Sequence, residues 1–283
     1  MIQQWPVYQQ LVKLFHQQCE LVETQIVVRK HTGGNVIQNP SDPDATYSGH
    51  KGMGYQVQLS ETCHPDNEQQ LIVAALPQTA VESDALAVLP VLKDLSERGH
   101  LPDLLPCDTA YGGEDNVQAA LAQGVTLVSP VPGGAKFDAQ AIGPEHFVWN
   151  AETQAVTACP AGHAPLDSAY NADSDRVAVT MSREQCAGCP LLARCPIVMK
   201  QRSAKLYFTT NEQRAGQHRQ HEQTDEFSTQ YAFREGIEST NSGLKRRLGL
   251  GRLRVRGKGA VMTAIWLTST RFPKTGCWTW SGS

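Results

Sequence analysis

The 283-residue chain lacks any long hydrophobic run. Its longest apolar stretch, Ala260 to Leu267, is broken by Thr263 and is far below the roughly 20 residues that a membrane helix needs. A bilayer span is excluded on that ground. The first residues, Met-Ile-Gln-Gln-Trp-Pro, hold neither a basic leader nor an apolar segment ending in small residues, which predicts a cytoplasmic location. In a reducing compartment the eight cysteines read as thiols or metal ligands before disulfides. Internal repeats and low-complexity tracts are also missing. With 40% hydrophobic and 19% charged residues, the chain has the balance of a globular protein. It is long enough for one large or two modest domains, which excludes a stapled miniprotein.

A net charge of −3 hides an asymmetry. Residues 1–160 carry 7 Lys/Arg against 18 Asp/Glu, whereas residues 161–283 carry 18 against 10. The C-terminal half is therefore the half that faces polyanions.

Periodicity divides the chain further. Tyr8, Leu11, Val12, Phe15, Cys19 and Val22 recur at helical spacing and predict an amphipathic packing helix that stops before Thr24. Residues 31–54, rich in Gly and Pro, predict a long loop. Tyr55, Val57 and Leu59 alternate with polar residues as in a half-buried strand, and Leu71 to Ala75 reads as its antiparallel partner. A helix over 84–98 follows, with Leu86, Leu89, Leu92 and Leu95 on one face and Pro90 demanding a late start. A strand ending at Cys107-Asp108, a helix near 115–123 and a strand at 125–129 complete an α/β pattern, a mixed sheet flanked by helices. From Pro130 to about 205 the periodicity is weak, and the segment reads as an insertion. A polar, helix-favouring stretch resumes at Asn211 and runs into a basic tail.

Several constellations carry chemistry. Tyr231, Arg234, Glu238 and Lys245 project within a wedge about 60° wide if they share one helix at about 100° per residue. The wedge borders the apolar stripe of Phe233, Ile237, Leu244 and Leu248. The alternative is a solvated face with an ordinary Arg234–Glu238 pair, and Ser239 to Gly243 is poor helix sequence. Asp108, at a strand end before Thr-Ala-Tyr-Gly-Gly, is either a Mg²⁺-binding carboxylate or a cap. Cys159, Cys186, Cys189 and Cys195, with Pro160, Gly162, Gly188 and Pro190 beside them, suit a tetrahedral structural Zn²⁺, with His163 as a substitute ligand. Unliganded thiols in a loop are the alternative. Cys19, Cys63, Cys107 and Cys277 have no partner at ligand spacing. Lys245, Arg246, Arg247, Arg252, Arg254, Arg256 and Lys258 form a run without an acid. In an extended segment Arg252, Arg254 and Arg256 would line up toward phosphate; a generic solvated basic patch is the alternative. The remaining histidines form no ligand pattern with nearby carboxylates.

Taken together, Asp108 to Gly113, the Tyr231/Arg234/Glu238/Lys245 spacing, and Asp42-Pro-Asp-Ala with Gly54 to Val57 resemble the DDE transposases of bacterial insertion sequences, over about residues 40–265. The resemblance implies a ribonuclease H-like catalytic domain. It also implies metal-dependent DNA cleavage and strand transfer, in which two Asp and one Glu hold two Mg²⁺ or Mn²⁺ ions. Carried over by position, Asp108 and Glu238 are metal ligands, and Tyr231, Arg234 and Lys245 grip DNA phosphate. Glu235 departs from the spacing. The partner would be double-stranded DNA at transposon ends, bound by a homo-oligomer when active. The family's first aspartate, which should close a first core strand, has no counterpart before Asp42. Asp42 and Asp44 are fallback candidates, and the Phe272 to Trp280 tail is atypical for the family. Both departures predict a truncated copy with weak or no activity. A noncatalytic DNA-binding remnant is the rival reading, and a repair or restriction nuclease on the same fold a third. The expected organisation is an N-terminal helix and loop (1–50), a first core part (51–130), an inserted Cys-rich zinc-binding segment (131–210), a catalytic helix with a basic DNA-binding segment (211–265) and the tail (266–283).

Overall fold

The computed structural model describes residues 2–30, 32–64, 66–133, 138, 140–270 and the backbone of 274–275. In chain order the elements are α1 (Pro6–Gln18), β1 (Cys19–Val22), β2 (Gln25–Val28), β3 (Thr46–Ser48), β4 (Gly52–Glu61), β5 (Gln69–Gln70), β6 (Ile72–Thr79), α2 (Val88–Glu97), β7 (Leu104–Pro106), α3 (Glu114–Leu121) and β8 (Thr126–Val128). There follow β9 (Val148–Asn150), β10 (Ala155–Ala158), β11 (Asp167–Asn171), β12 (Arg176–Met181), α4 (Arg183–Ala187), β13 (Val198–Met199), β14 (Ala204–Thr209), α5 (Thr210–His221), α6 (Asp225–Ala232), α7 (Glu235–Arg246), α8 (Lys258–Ser269) and β15 (Lys274–Thr275). Helices and strands intermix as an α/β chain requires. Among the described residues the strands lie in several small sheets. No helix there is long and apolar enough to cross a membrane.

Two compact units divide the chain: Met1–Leu105 with Ala119–Thr126 and Ala232–Ser283, and Pro106–Gln118 with Leu127–Tyr231. In the first unit the alternation at Tyr55 to Leu59 becomes β4, paired antiparallel with β6 in the register Tyr55↔Thr79 and Leu59↔Ala75. Both faces of β4 are half-covered, and Gln58 is the residue buried there; its amide donates to Gln78 Oε1 at 2.9 Å and Asp84 Oδ1 at 3.1 Å. Such partners are what make a buried amide tolerable. Helix α2 packs Val91 and Leu95 against Ala74 of β6.

The late start required by Pro90 is found: a 3₁₀ turn, Asp84–Leu86, precedes α2, which leaves Pro90 in the first helical turn, where its missing N–H costs no bond. The buried face shifts as a result. It is Val88, Val91, Leu92 and Leu95, at i, i+3, i+4 and i+7, while Leu86 and Leu89 are exposed.

Three local expectations are corrected. Helix α1 ends at Gln18, because Cys19 turns extended and starts a hairpin whose reversal places Glu23 at φ 57°. Moreover, α1 buries no residue, so its apolar stripe is not core packing. The Gly/Pro-rich loop also yields regular structure, since Tyr47 pairs with Met53 in the β3–β4 hairpin and Gly52 supplies a φ of 82°.

The second unit holds the largest departure. The segment of weak periodicity contains a four-stranded antiparallel sheet in the order β11-β12-β14-β13. Its central strands alternate cleanly: Val177, Val179 and Met181 of β12 and Ala204, Leu206 and Phe208 of β14 are buried. They form a core with Ile142, Phe147, Val156 and Ile197. Helix α5 leaves this sheet through a capping box between Thr209 and Glu212, with Glu212 N donating to Thr209 Oγ1 at 3.0 Å.

The fallback carboxylate Asp42 is 7% exposed and accepts a 2.6 Å hydrogen bond from the Tyr55 hydroxyl. Burial, and then that bond, push the Tyr55 hydroxyl well above its ordinary pKa. Tyr55→Phe removes the donor and is expected to lower stability by about 1–3 kcal/mol, the cost of stranding a buried polar atom. Urea denaturation of the two proteins measures it.

Candidate functional site

Asp108 stands just beyond β7, exposed, as the N-cap of a 3₁₀ turn over Thr109–Tyr111. Its carboxylate accepts from the Thr109 amide at 3.0 Å, and its carbonyl accepts from Ser129 Oγ at 2.7 Å. The strand-end position expected for a metal-binding carboxylate is thus present, together with the capping role that was the alternative. Gly112 closes the same turn; a Cβ there would run into the Pro130 carbonyl oxygen and Ser129 Oγ. Glycine at 112 is a requirement of packing.

The signature residues do not share one helix. Tyr231 lies in the last turn of α6 in the second unit, while Glu238 and Lys245 lie on α7 in the first, with Arg234 as its N-cap. Between them Gly236 N donates to Phe233 O and Ile237 N to Arg234 O, i to i+3 bonds that tighten the chain and end α6. The common wedge therefore holds only for Arg234, Glu238 and Lys245. Acidic Glu235 and Glu238 in the first turn of α7, with Lys245 and Arg246 in its last, match the helix dipole. That charge order is the sequence signal for a new helix starting at 235. The poor helix formers Ser239 to Gly243 lie inside α7 all the same, where Thr240, Gly243 and Leu244 are buried. Packing overrides propensity here.

On α7 the Arg234 guanidinium donates to Glu238 Oε1 at 3.0 Å, the i,i+4 pair of the alternative reading, with the Glu238 side chain 63% exposed. An exposed pair of this kind contributes little to stability. Glu61, at the end of β4, accepts a hydrogen bond from Thr240 Oγ1 on the buried side of α7, and a Cβ on Gly236 would touch its carboxylate. Sequence reasoning missed this residue. Glu61 and Thr240 lie 179 positions apart, and no local pattern links them.

In the second unit Tyr231 stacks on the buried Phe227 with ring centroids 5.5 Å apart and an interplanar angle of 16°. His221 meets Phe227 edge-on at 5.7 Å. His218 on the same helix is pushed below the ordinary histidine pKa by burial. Arg214 of α5 pairs with Glu114 of α3 at 3.0 Å, and the Glu114 carboxylate is nearly buried.

The four cysteines meet around one small cavity, bordered also by His163 and by Ile142, Phe147 and Met181 of the core. Two tight turns present them: Gly162 N donates to Cys159 O, and Cys189 N donates to Cys186 O at 3.1 Å. Burial, followed by the charges of the neighbouring thiols, raises the pKa of Cys186; burial also raises that of Cys195. Four thiols are donors suited to zinc. Among the described residues, though, no group of three His, Cys, Asp or Glu side chains has metal-holding geometry as it stands. Cys277 and the atypical tail beyond 270 fall outside the described side chains.

Arg246, Arg247, Arg252, Arg254 and Arg256 are all exposed. The segment is not a strand: Arg252 closes a 3₁₀ turn over Leu250–Arg252, held by Gly249 at φ 76°, and Arg254 and Arg256 follow in irregular chain. The expected row of three guanidinium groups on extended chain is thus reduced to a cluster of exposed cations before α8.

Comparison with known proteins bears on this set of residues. No curated protein and no solved structure matches the chain. A family model described as a transposase DDE domain matches residues 158–272. The match spans less than half of the chain and takes in the cysteines, Tyr231, Arg234, Glu238, Lys245 and the arginine cluster; over that stretch the chain is similar to a transposase DDE domain.

Proposed function

We propose that the chain is a DNA transposase of the insertion-sequence type, built for metal-dependent cleavage and strand transfer on a ribonuclease H-like core. The observation that carries the reading is the placement of Arg234, Glu238 and Lys245 on one helix inside the segment similar to a transposase DDE domain. Asp108 and Glu238 would be the carboxylate ligands of Mg²⁺ or Mn²⁺. Bound there, the ions would polarise a phosphate and activate an attacking oxygen. Tyr231, Arg234 and Lys245 would hold phosphate near the cleaved bond, and Arg246, Arg247, Arg252, Arg254 and Arg256 would bind the flanking DNA backbone. The functional order along the chain is then an N-terminal helix and loop (1–50), a first core part (51–130), the Cys-bearing segment (131–210), the catalytic helix with the basic segment (211–265) and the tail (266–283).

Activity is expected to be weak. Among the described residues no strand before β4 ends on a carboxylate: β1 ends at Val22, β2 at Val28 and β3 at Ser48. Asp42 is committed to Tyr55. With one of three acidic ligands missing, at least one metal is poorly held. The second reading, a noncatalytic DNA-binding transposase remnant, draws on the Arg234–Glu238 pair, in which one oxygen of the acid proposed for the metal accepts from a guanidinium. Iron-directed cleavage separates the two. With Fe²⁺ in place of Mg²⁺, ascorbate and peroxide should cut the backbone near both 108 and 238, and Glu238→Gln should suppress both cuts. Cutting at neither position favours the remnant.

DNA binding is expected to be mainly electrostatic. Replacing Arg252, Arg254 and Arg256 together by Ala should make the slope of log affinity against log salt shallower by about 3, about 1 for each phosphate deprived of its cation. Fluorescence anisotropy on a duplex at several salt concentrations measures it, and an unchanged slope refutes the assignment.

The Cys159, Cys186, Cys189 and Cys195 cluster is proposed to hold structural Zn²⁺ at the border of the apolar core. Burial holds Cys186 and Cys195 above the ordinary thiol range, so these two keep their protons at neutral pH, and zinc must displace them. Affinity should therefore fall as pH falls. Protein purified without added metal should contain stoichiometric zinc by elemental analysis and lose it in Cys189→Ser; zinc-free native protein contradicts the proposal.

A further inference from the structure

The sheet β11-β12-β14-β13 has one buried face, and on the opposite face Ala169, Asn171, Arg176 and Tyr207 are exposed. In register across three strands, that outer face presents Ala169, Ala178 and Tyr207 in one row, with Asn171 and Arg176 in the next. Lys205 stands two residues from Tyr207 on β14, on the same side. Tyr207 is 46% exposed, although the strand has a full apolar core available on its other face. The Arg176 guanidinium lies over the Tyr207 ring, 4.8 Å from its centroid. Beside the ring the two alanines, with no bulk of their own, leave an open cleft of about 510 Å³, walled by Asn171, Ser174, Arg176 and Tyr207. No carboxylate lines it. Asp175, nearby in the β11–β12 turn, is engaged by Thr210 Oγ1 at 2.6 Å and the Tyr170 hydroxyl at 3.2 Å. Asp167 shares its row with Thr180 and Lys205, and Asp173 is exposed in the β11–β12 turn, so the cation that stands at the cleft itself is Arg176.

From this arrangement we infer that the outer face of the sheet binds single-stranded DNA, with one unstacked base in the alanine-floored cleft against Tyr207 and Arg176. A flat, methyl-lined floor beside an aromatic ring and a planar cation accepts a nucleobase, whose faces are apolar and polarisable. Asn171 and Ser174 offer hydrogen bonds to the base edge, and Arg176 supplies positive charge for an adjoining phosphate. Bases inside a duplex already have both faces stacked, so the cleft selects single strands. A small, chemically neutral ligand would gain nothing from the Arg176 charge at the cleft, which is why an anionic strand fits better. The surface is separate from the arginine cluster at 246–256 and does not depend on metal binding at Asp108 or Glu238.

The test uses the full chain with Arg252, Arg254 and Arg256 changed to Ala, so that the basic segment does not mask a weaker site, and a fluorescein-labelled oligothymidylate of about 15 nucleotides, long enough to fill one single-strand site. Tyr207→Ala and Arg176→Ala, both at the surface, should each weaken binding about five-fold or more, the loss expected for one base stack, while Tyr207→Phe should stay within about two-fold. Photocrosslinking to a 5-iodouracil oligonucleotide should mark Tyr207. Equal affinity in Tyr207→Ala and its parent, or crosslinks that all fall outside residues 167–209, would overturn the inference. Duplex binding by the otherwise unaltered chain should be unchanged by Tyr207→Ala, so a failure here is distinguishable from a failure of the transposase reading; a parallel loss of duplex binding in that variant would count against a single-strand site.

Discussion

The antiparallel ladder between β4 and β6 is the constraint on which the first unit depends. Three helices are fixed to it by different chemistry. Helix α2 packs Val91 and Leu95 on β6. Helix α8 is tied by the Trp266 indole N–H to Ala75 O at 3.2 Å, and α7 by Thr240 to Glu61 at the ladder's end. The third attachment joins α7, the helix that carries Glu238, to the end of β4. Apolar packing alone resists sliding poorly, because burial is non-directional; a hydrogen bond to a strand end sets one register.

The second unit rests on the alternation of β12 and β14, whose inner side chains build the apolar core and whose outer side chains carry Tyr207 and Arg176. The cysteines border that core. Cys159, Cys186 and Cys195 pack against its apolar residues, so the Cys186 and Cys195 thiols are raised in pKa by the same desolvation that stabilises the sheet. A metal site there would be a local addition to a fold that already has a core of its own.

Legibility in the sequence followed the range of the interaction. Strand pairing at Tyr55 to Ala75 was readable because Tyr55 to Leu59 alternates with polar residues and Leu71 to Ala75 is a short apolar run. The late start of α2 was readable because proline is tolerated only in a first turn. Asp108 at a strand end was readable for the same local reason. The break between α6 and α7 was harder: the spacing from Tyr231 to Lys245 fits one helix numerically, and only the charge order at Glu235 and Lys245 marks the interruption. The alternation in β12 and β14 was hidden by Ala178, Thr180 and Tyr207, outer-face residues whose apolar or intermediate character blurs the contrast between faces. Contacts such as Glu61 to Thr240, and Arg214 to Glu114 at a separation of 100 residues, leave no periodic trace, because each partner satisfies its own local pattern without the other.

Gly112 gives the motif around Asp108 a second meaning. Its missing side chain is filled by the backbone oxygen of Pro130 and the hydroxyl of Ser129, so this letter of the motif records a clearance between two chain crossings. Every amino-acid replacement at 112 adds a Cβ and would lever the turn that presents the carboxylate, whatever the chemistry of the new side chain. In a library covering all substitutions, position 112 would score as intolerant through lack of room alone, and a survey of tolerance would mistake a spacer for a chemical group.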